Sequence, residues 1–226
     1  MVTNDTQSFD DVTSAVPDGS ANASTILCNC FISSFETQEA GVLSKLKRSV
    51  DQLLYRPAFL LVRVGITPNV LTLIGLLVGV IAGAALALGL FIAGALLILA
   101  TGFIDMLDGA VARNEKATTR IGGTMDSIFD RYVDCFILIG LGIAGINWLY
   151  VAIALMGSLL VSYVRAKAEG LGIACTVGIG ERSERLIVLA GGLLLGLAEP
   201  AVLLVAILAQ ITALWRISLL FKRATY

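Results

Sequence analysis

Six apolar stretches fill this chain from residue 69 onward, at 69–88, 91–113, 123–145, 148–168, 184–199 and 200–221. Gly, Pro, Asn or charged residues bound each one. Each is near the ~20 residues that cross a bilayer's hydrocarbon core at 1.5 Å rise per residue. With 57% hydrophobic and only 15% charged residues, the chain has too little polar surface for a water-soluble domain. The expected fold is all-α: a polytopic membrane protein with six transmembrane helices. The hairpins at Leu88–Leu90 and Gly145–Asn147 are so short that the helices flanking them must be antiparallel neighbours.

Charge supports this topology. An even number of spans puts both termini on one side, and all 16 Lys and Arg then fall on that side or in the first turns of spans that start there. Arg131 is the deepest of them, and the opposite side carries only Glu199. By the positive-inside rule the termini are cytoplasmic and the protein sits in the cell membrane. Residues 1–42 hold Asp5, Asp10, Asp11, Asp18, Glu36 and Glu39 without a Lys or Arg, and read as an acidic disordered tail without a cleavable signal. Residues 43–66 follow as an N-terminal juxtamembrane amphipathic helix. Leu43, Leu46, Val50, Leu53 and Leu54 lie on one face, opposite Lys45, Arg48 and Gln52. The domain proper is 67–226. Gly75, Gly79 and Gly83 make two overlapping G-x-x-x-G steps, a signal for close helix packing, expected within the fold. Cys28, Cys30, Cys135 and Cys175 read as free thiols. The chain has no histidine, so acid–base chemistry near neutral pH falls to carboxylates. Nothing points to nucleic acid.

Within this apolar sequence sit Asp105, Asp108, Asp126 and Asp130. An ionised carboxylate at a bilayer centre costs roughly 2.5–3.5 kcal/mol even on the translocon scale. Four of them persist only beside an aqueous cavity with a cation to neutralise them. Asp105 and Asp108 share a face at i and i+3, as do Asp126 and Asp130 at i and i+4. The loop between them lets both pairs converge near the cytoplasmic surface. Oxygen ligands without imidazole select a hard cation, Mg²⁺ or Mn²⁺, and two ions match the charge better than one. Gly109 allows close approach of a ligand, and the Arg113 fork suits phosphate oxygens. The site is read as a two-metal phosphoryl-transfer centre. A proton or ion pathway, or pairing with nearby arginines, is the plainer alternative.

The full pattern, D-x2-D-G-x2-A-R-x8-G-x3-D-x3-D, resembles the signature of the CDP-alcohol phosphotransferase family without a departure, and Pro68-Asn69-x-x-Thr72 resembles that family's first helix. The resemblance implies metal binding by Asp105, Asp108 and Asp126. It implies that Asp130 is the general base and also touches the second metal. It places Gly109, Ala112, Arg113 and Gly122 around the CDP moiety of a CDP-lipid, with Asn69, Thr72, Asp108 and Asp126. It further implies a homodimer, and a reaction that joins the lipid phosphate to an acceptor hydroxyl and releases CMP.

Ser162-Tyr163-Val164-Arg165-Ala166-Lys167-Ala168-Glu169 and Gly178-Ile179-Gly180-Glu181-Arg182-Ser183-Glu184-Arg185 resemble the inositol-phosphate branch of the family. Lys167, Arg182, Arg185 and Arg216 are the candidates for binding the phosphate of such an acceptor. Glycerol phosphate, serine and another inositol headgroup stay open as acceptors. A cation-coupled transporter is the rival of a different class. It would more naturally place its carboxylates at the midplane within an inverted repeat, and this chain has no such repeat.

Overall fold

The computed structural model describes residues 57, 59, 61, 63, 67–115, 120–173 and 180–224, with the backbone alone for 113–115, 120, 223 and 224. The acidic tail, most of the 43–66 stretch, Cys28, Cys30, Cys175 and the Arg113 side chain lie outside them. Residues 57, 59, 61 and 63 are helical, and from residue 67 on the described residues form six helices: α1 Pro68–Ala87, α2 Phe91–Glu115, α3 Arg120–Ile143, α4 Trp148–Gly170, α5 Arg182–Leu194 and α6 Ala198–Ala224. The described residues contain no strand, as an all-α fold requires.

Four of these helices, α1, α2, α4 and α6, are long and apolar enough to cross a membrane. The 24-residue α3 has the length, but it carries Asp126, Asp130, Arg131 and Asp134. The 13 residues of α5 cover only about 20 Å at 1.5 Å per residue, against about 30 Å of hydrocarbon. The expected fifth span, 184–199, is therefore too long at its C-terminal end. Leu197 N–H bonds back to the Gly192 carbonyl at 2.7 Å, and Gly196 takes a left-handed φ of 72°. This closes α5 at Leu194. Glu199-Pro200 does not end α5; it forms the first turn of α6, where a missing N–H leaves no helical bond unmade.

Side-chain size is sorted in the direction a lipid solvent dictates. In α1 the buried positions are Leu71, Gly79, Ala82, Gly83 and Leu86, whereas Leu73, Ile74, Leu77, Val80 and Ile81 point outward. In α6, Ala201, Val205, Ala206, Ala209 and Ala213 face in, and Leu203, Leu204, Ile207, Ile211 and Leu214 face out. Small residues let backbones approach, and large apolar ones cover a surface that water would reject.

The glycine steps of α1 pack within the fold, as expected. A Cβ at Gly79 would lie 2.5 Å from Val133 Cγ2, and one at Gly83 would lie 2.5 Å from the Phe136 carbonyl oxygen. Gly140 faces Gly83 in turn, so α1 and α3 meet nearly backbone to backbone. Gly83→Ala is expected to destabilise the bundle by about 1–3 kcal/mol, the range for overpacking. The obstacle is a backbone carbonyl that cannot rotate away. A lowered melting temperature in detergent checks this; an unchanged one removes the close crossing. That crossing matters for the site, because it sets α3, which carries Asp126 and Asp130, against α1, which carries Thr72 and also packs on α2.

Candidate active site

The polar residues gather at one end of the bundle: the starts of α1, α3 and α5 and the C-terminal halves of α2, α4 and α6. On α2, Asp105, Asp108, Gly109 and Ala112 follow an i, i+3, i+4, i+7 spacing and share a face. On α3, Gly122, Asp126 and Asp130 do the same in steps of four. Asp105, Asp108 and Asp126 each offer a carboxylate oxygen within 4.8 Å of the others. Asp108 is buried, and Thr72 Oγ1, in the first turns of α1, lies 3.3 Å from its Oδ2 and 3.0 Å from the Pro68 carbonyl. Thr72 can thus donate to Asp108 across the helix interface. Three hard oxygen donors with no nitrogen or sulfur ligand fit a divalent cation such as Mg²⁺ or Mn²⁺.

Asp130 stands outside that trio. Its Oδ1 lies 2.9 Å from Arg182 Nη1, and its Oδ2 lies 3.7 Å from Arg131 Nη1. The same Arg182 Nη1 is 3.3 Å from Asp105 Oδ2. Arg182 thereby links the end of the metal-competent trio to the candidate base. Two arginines in the first turns of α5 oppose the helix dipole, and the surrounding carboxylates offset this. The start of α5 is fixed by Glu184, whose Oε2 accepts from Gly180 N–H at 2.7 Å and Glu181 N–H at 2.9 Å. Gly180 is buried with φ 105°, and a Cβ there would sit 3.0 Å from Thr212 Oγ1. Arg185 Nη1 donates to the Gly180 carbonyl at 2.8 Å, so turn and arginine hold each other.

A cavity of about 890 Å³ opens beside these groups, lined in part by Asp105, Asp126, Asp130, Arg182, Arg185 and Arg216. Arg216 is only 3% exposed, deep in α6, and its Nη1 donates to the Val161 carbonyl at 3.2 Å. A small second cavity lies on the other side of Asp105 and Asp126, between Thr72, Thr101 and Asp108, and Arg182 lines it too. Three of the four acceptor candidates are thus brought together. Lys167 is exposed in the last turn of α4 and does not line the cavity. Ser162, Arg165, Ala166 and Glu169 do, and two residues along a helix turn Lys167 away from Arg165's face. Asn69 is exposed at the start of α1, and it lines neither cavity, nor do Gly109, Ala112 and Gly122.

Sequence reasoning missed Asp134. It continues the Asp126, Asp130 series by one more step of four, a signal present in the sequence. Its Oδ1 is 3.2 Å from Arg182 Nε and its Oδ2 is 3.6 Å from Arg185 Nη2. Ser162 was also missed as a partner: it accepts from Arg131 Nε at 2.8 Å, tying α3 to α4 at the cavity wall.

Carboxylates suited to a hard cation, facing buried arginines at one end of a bundle with apolar sides, are the parts of a phosphoryl-transfer centre. The model of the CDP-alcohol phosphatidyltransferase family matches residues 65–219, and the chain belongs to that family of membrane transferases. The archaetidylinositol phosphate synthase of Methanothermobacter thermautotrophicus is 42% identical over 71% of this chain and 86% of its own length. That of Pyrococcus horikoshii is 38% identical over 78% of this chain and 95% of its own. The crystal structure of Mycobacterium tuberculosis phosphatidylinositol phosphate synthase with CDP-DAG bound superposes with a TM-score of 0.68 at 30% identity. It covers 75% of this chain and 94% of its own. The same mycobacterial enzyme has been solved with manganese and citrate, at a TM-score of 0.68 and 30% identity over 74% of this chain and 88% of its own.

Proposed function

We propose that this enzyme joins the lipid phosphate of a CDP-lipid to the hydroxyl of inositol 1-phosphate and releases CMP. The observation that carries this reading is the single cavity shared by Asp130 and the buried Arg185 and Arg216. Planar guanidinium forks in a cavity wall suit the oxygens of a phosphate. Relatives named archaetidylinositol and phosphatidylinositol phosphate synthase support the same acceptor.

Asp105, Asp108 and Asp126 would hold a divalent ion; when bound, it supplies positive charge to the pyrophosphate and to the departing CMP. Asp130 accepts the proton of the acceptor hydroxyl. The freed oxygen bonds to the phosphorus that carries the lipid, and the bond from that phosphorus to the oxygen of CMP breaks. Arg182 fixes the Asp130 carboxylate on the cavity side. Arg185 and Arg216 hold the acceptor's own phosphate, which orients the hydroxyl. The lipid's chains lie along the apolar outer faces of the helices.

Membranes containing the protein, given CDP-lipid and a panel of acceptors, should form product and CMP with inositol 1-phosphate. Losing one charged hydrogen bond to phosphate costs about 1.5–3 kcal/mol, or roughly 10- to 150-fold in affinity. Arg216→Ala is therefore expected to raise the KM for inositol 1-phosphate by that factor and to leave the KM for CDP-lipid nearly unchanged. Free inositol or serine serving equally well would remove the acceptor-phosphate pocket.

All six helices cross the membrane in this reading, with the site and both termini cytoplasmic. On α3 and α5, Ile139 and Ile187 point outward, while Asp126, Asp130, Arg182 and Arg185 line the cavity. A cysteine placed at Asn147 should label from the outside and one at Lys116 from the inside. Labelling of both from one side breaks the topology.

A further inference from the structure

We propose that Asp134 is a positioning residue: it aims the Arg182 and Arg185 guanidinium groups at the cavity and so sets affinity for a phosphorylated acceptor without touching it. The inference rests on the acceptor reading above, in which Arg185 and Arg216 bind the acceptor's phosphate.

The geometry is that of a two-sided clamp. Asp134 Oδ1 meets Arg182 Nε at 3.2 Å and Asp134 Oδ2 meets Arg185 Nη2 at 3.6 Å. Each oxygen therefore serves a different arginine. Arg182, held at Nε, is left with Nη1 against Asp130 at 2.9 Å and Asp105 at 3.3 Å. Arg185, held at Nη2 by Asp134 and at Nη1 by the Gly180 carbonyl at 2.8 Å, is fixed at both ends of its fork. The Asp134 side chain is 12% exposed, those of Arg182 and Arg185 15% and 6%.

Position separates Asp134 from the groups that meet substrate. Asp105, Asp126, Asp130, Arg182, Arg185 and Arg216 all line the large cavity, and Asp134 does not. It lines instead a small, water-sized cavity behind them, with Ser158, Arg182, Arg185 and Leu186. The carboxylate supports the arginines from the side away from the reacting groups. Two adjacent guanidinium groups repel one another, and a single anion between them is what allows both to stand in one wall. Without that anion, Arg182 keeps Asp130 and Asp105, whereas Arg185 keeps only an uncharged carbonyl among these contacts. The loss should therefore fall on the acceptor more than on CDP-lipid.

The test uses the full-length protein in detergent or native membranes, with inositol 1-phosphate as the acceptor. Asp134→Asn is near-isosteric and neutral, and it turns one acceptor oxygen into a donor facing an arginine. It is expected to raise the KM for inositol 1-phosphate by about tenfold or more, the range of one charged hydrogen bond. The KM for CDP-lipid should stay within about threefold, since that ligand is placed elsewhere. A double-mutant cycle with Arg185→Ala then separates support from general damage. If Asp134 acts through Arg185, the double variant is little worse than Arg185→Ala alone. Effects that multiply overturn the proposal, as does a native acceptor KM in folded Asp134→Asn. Should the Asn variant not assemble, the smaller Asp134→Ser carries the same expectation. If Arg185→Ala and Arg216→Ala both leave the acceptor KM unchanged, the acceptor reading itself has failed. If they raise it and the Asp134 variants do not, only the positioning role has.

Discussion

Asp130→Asn should lower turnover by at least about 10²-fold, the low end for lost general-base catalysis, while binding of CDP-lipid changes little. The chain has no histidine, so in the proposed reaction a carboxylate is the best-placed group to take the acceptor's proton. Asp130 is the aspartate that lines the large cavity yet stands outside the trio suited to metal. Asparagine keeps its shape and can still accept a hydrogen bond from Arg182, but it cannot take up a proton at neutral pH. Arg182 keeps its contacts with Asp105 and Asp134 in the variant, so the wall of the cavity should survive. The check is turnover measured beside CDP-lipid binding on the same folded preparation. Native turnover would show that Asp130 is not the base. Equal losses in turnover and in CDP-lipid binding would show that it belongs to the nucleotide site instead.

The aspartates were legible in the sequence because two things coincide there. Intramembrane carboxylates are rare, and helical spacing alone puts 105 with 108 and 126 with 130 on common faces. The division of labour among them came from the family resemblance and not from the residues themselves. All four look alike as letters, and in the fold the packing of α1 and α5 gives them different neighbours. Thr72 comes up to Asp108 from α1, and Arg182 comes up to Asp130 from α5. Arg182 shows the same limit from the other side. Charge and position marked it for a phosphate, whereas in the fold it is engaged by three carboxylates. Lys167 was marked by its charge and the resemblance, whereas helix phase puts its neighbour Arg165 on the cavity wall, a position that letters alone do not show. The fifth helix was drawn too long because its hydrophobic run continues past Leu194. The stop is conformational, a left-handed Gly196, and glycine is too common in this chain for that position to stand out. The small-inside, large-outside sorting of α1 was visible as its glycine steps. That their partner is α3 follows only from three-dimensional packing, in which Gly140 faces Gly83.

Stripping divalent metal with a chelator is expected to abolish turnover, and adding Mg²⁺ or Mn²⁺ should restore it. The reason is the donor set: Asp105, Asp108 and Asp126 bring carboxylate oxygens within 4.8 Å of one another, with no lysine or arginine among the trio itself. Three like charges that close are repulsive, and Arg182 reaches only the Asp105 edge of the trio among the salt bridges of the described residues. Asp108 is the buried member of the trio and the least exposed to solvent, so it should be the most dependent on a bound cation. Its orientation is in turn set by Thr72 Oγ1, 3.3 Å away. Thr72→Val keeps the side chain's shape and removes that hydroxyl. Loss of such a supporting hydrogen bond typically weakens metal affinity by about 10- to 100-fold. Mn²⁺ titration followed by electron paramagnetic resonance reads this without any turnover. Thr72→Val should bind Mn²⁺ in that weaker range, and saturating metal should recover much of its activity. Asp108→Asn should not be rescued by metal at any practical concentration. Full turnover in exhaustively demetallated protein, or unaltered Mn²⁺ affinity in both variants, would remove the trio as the metal site.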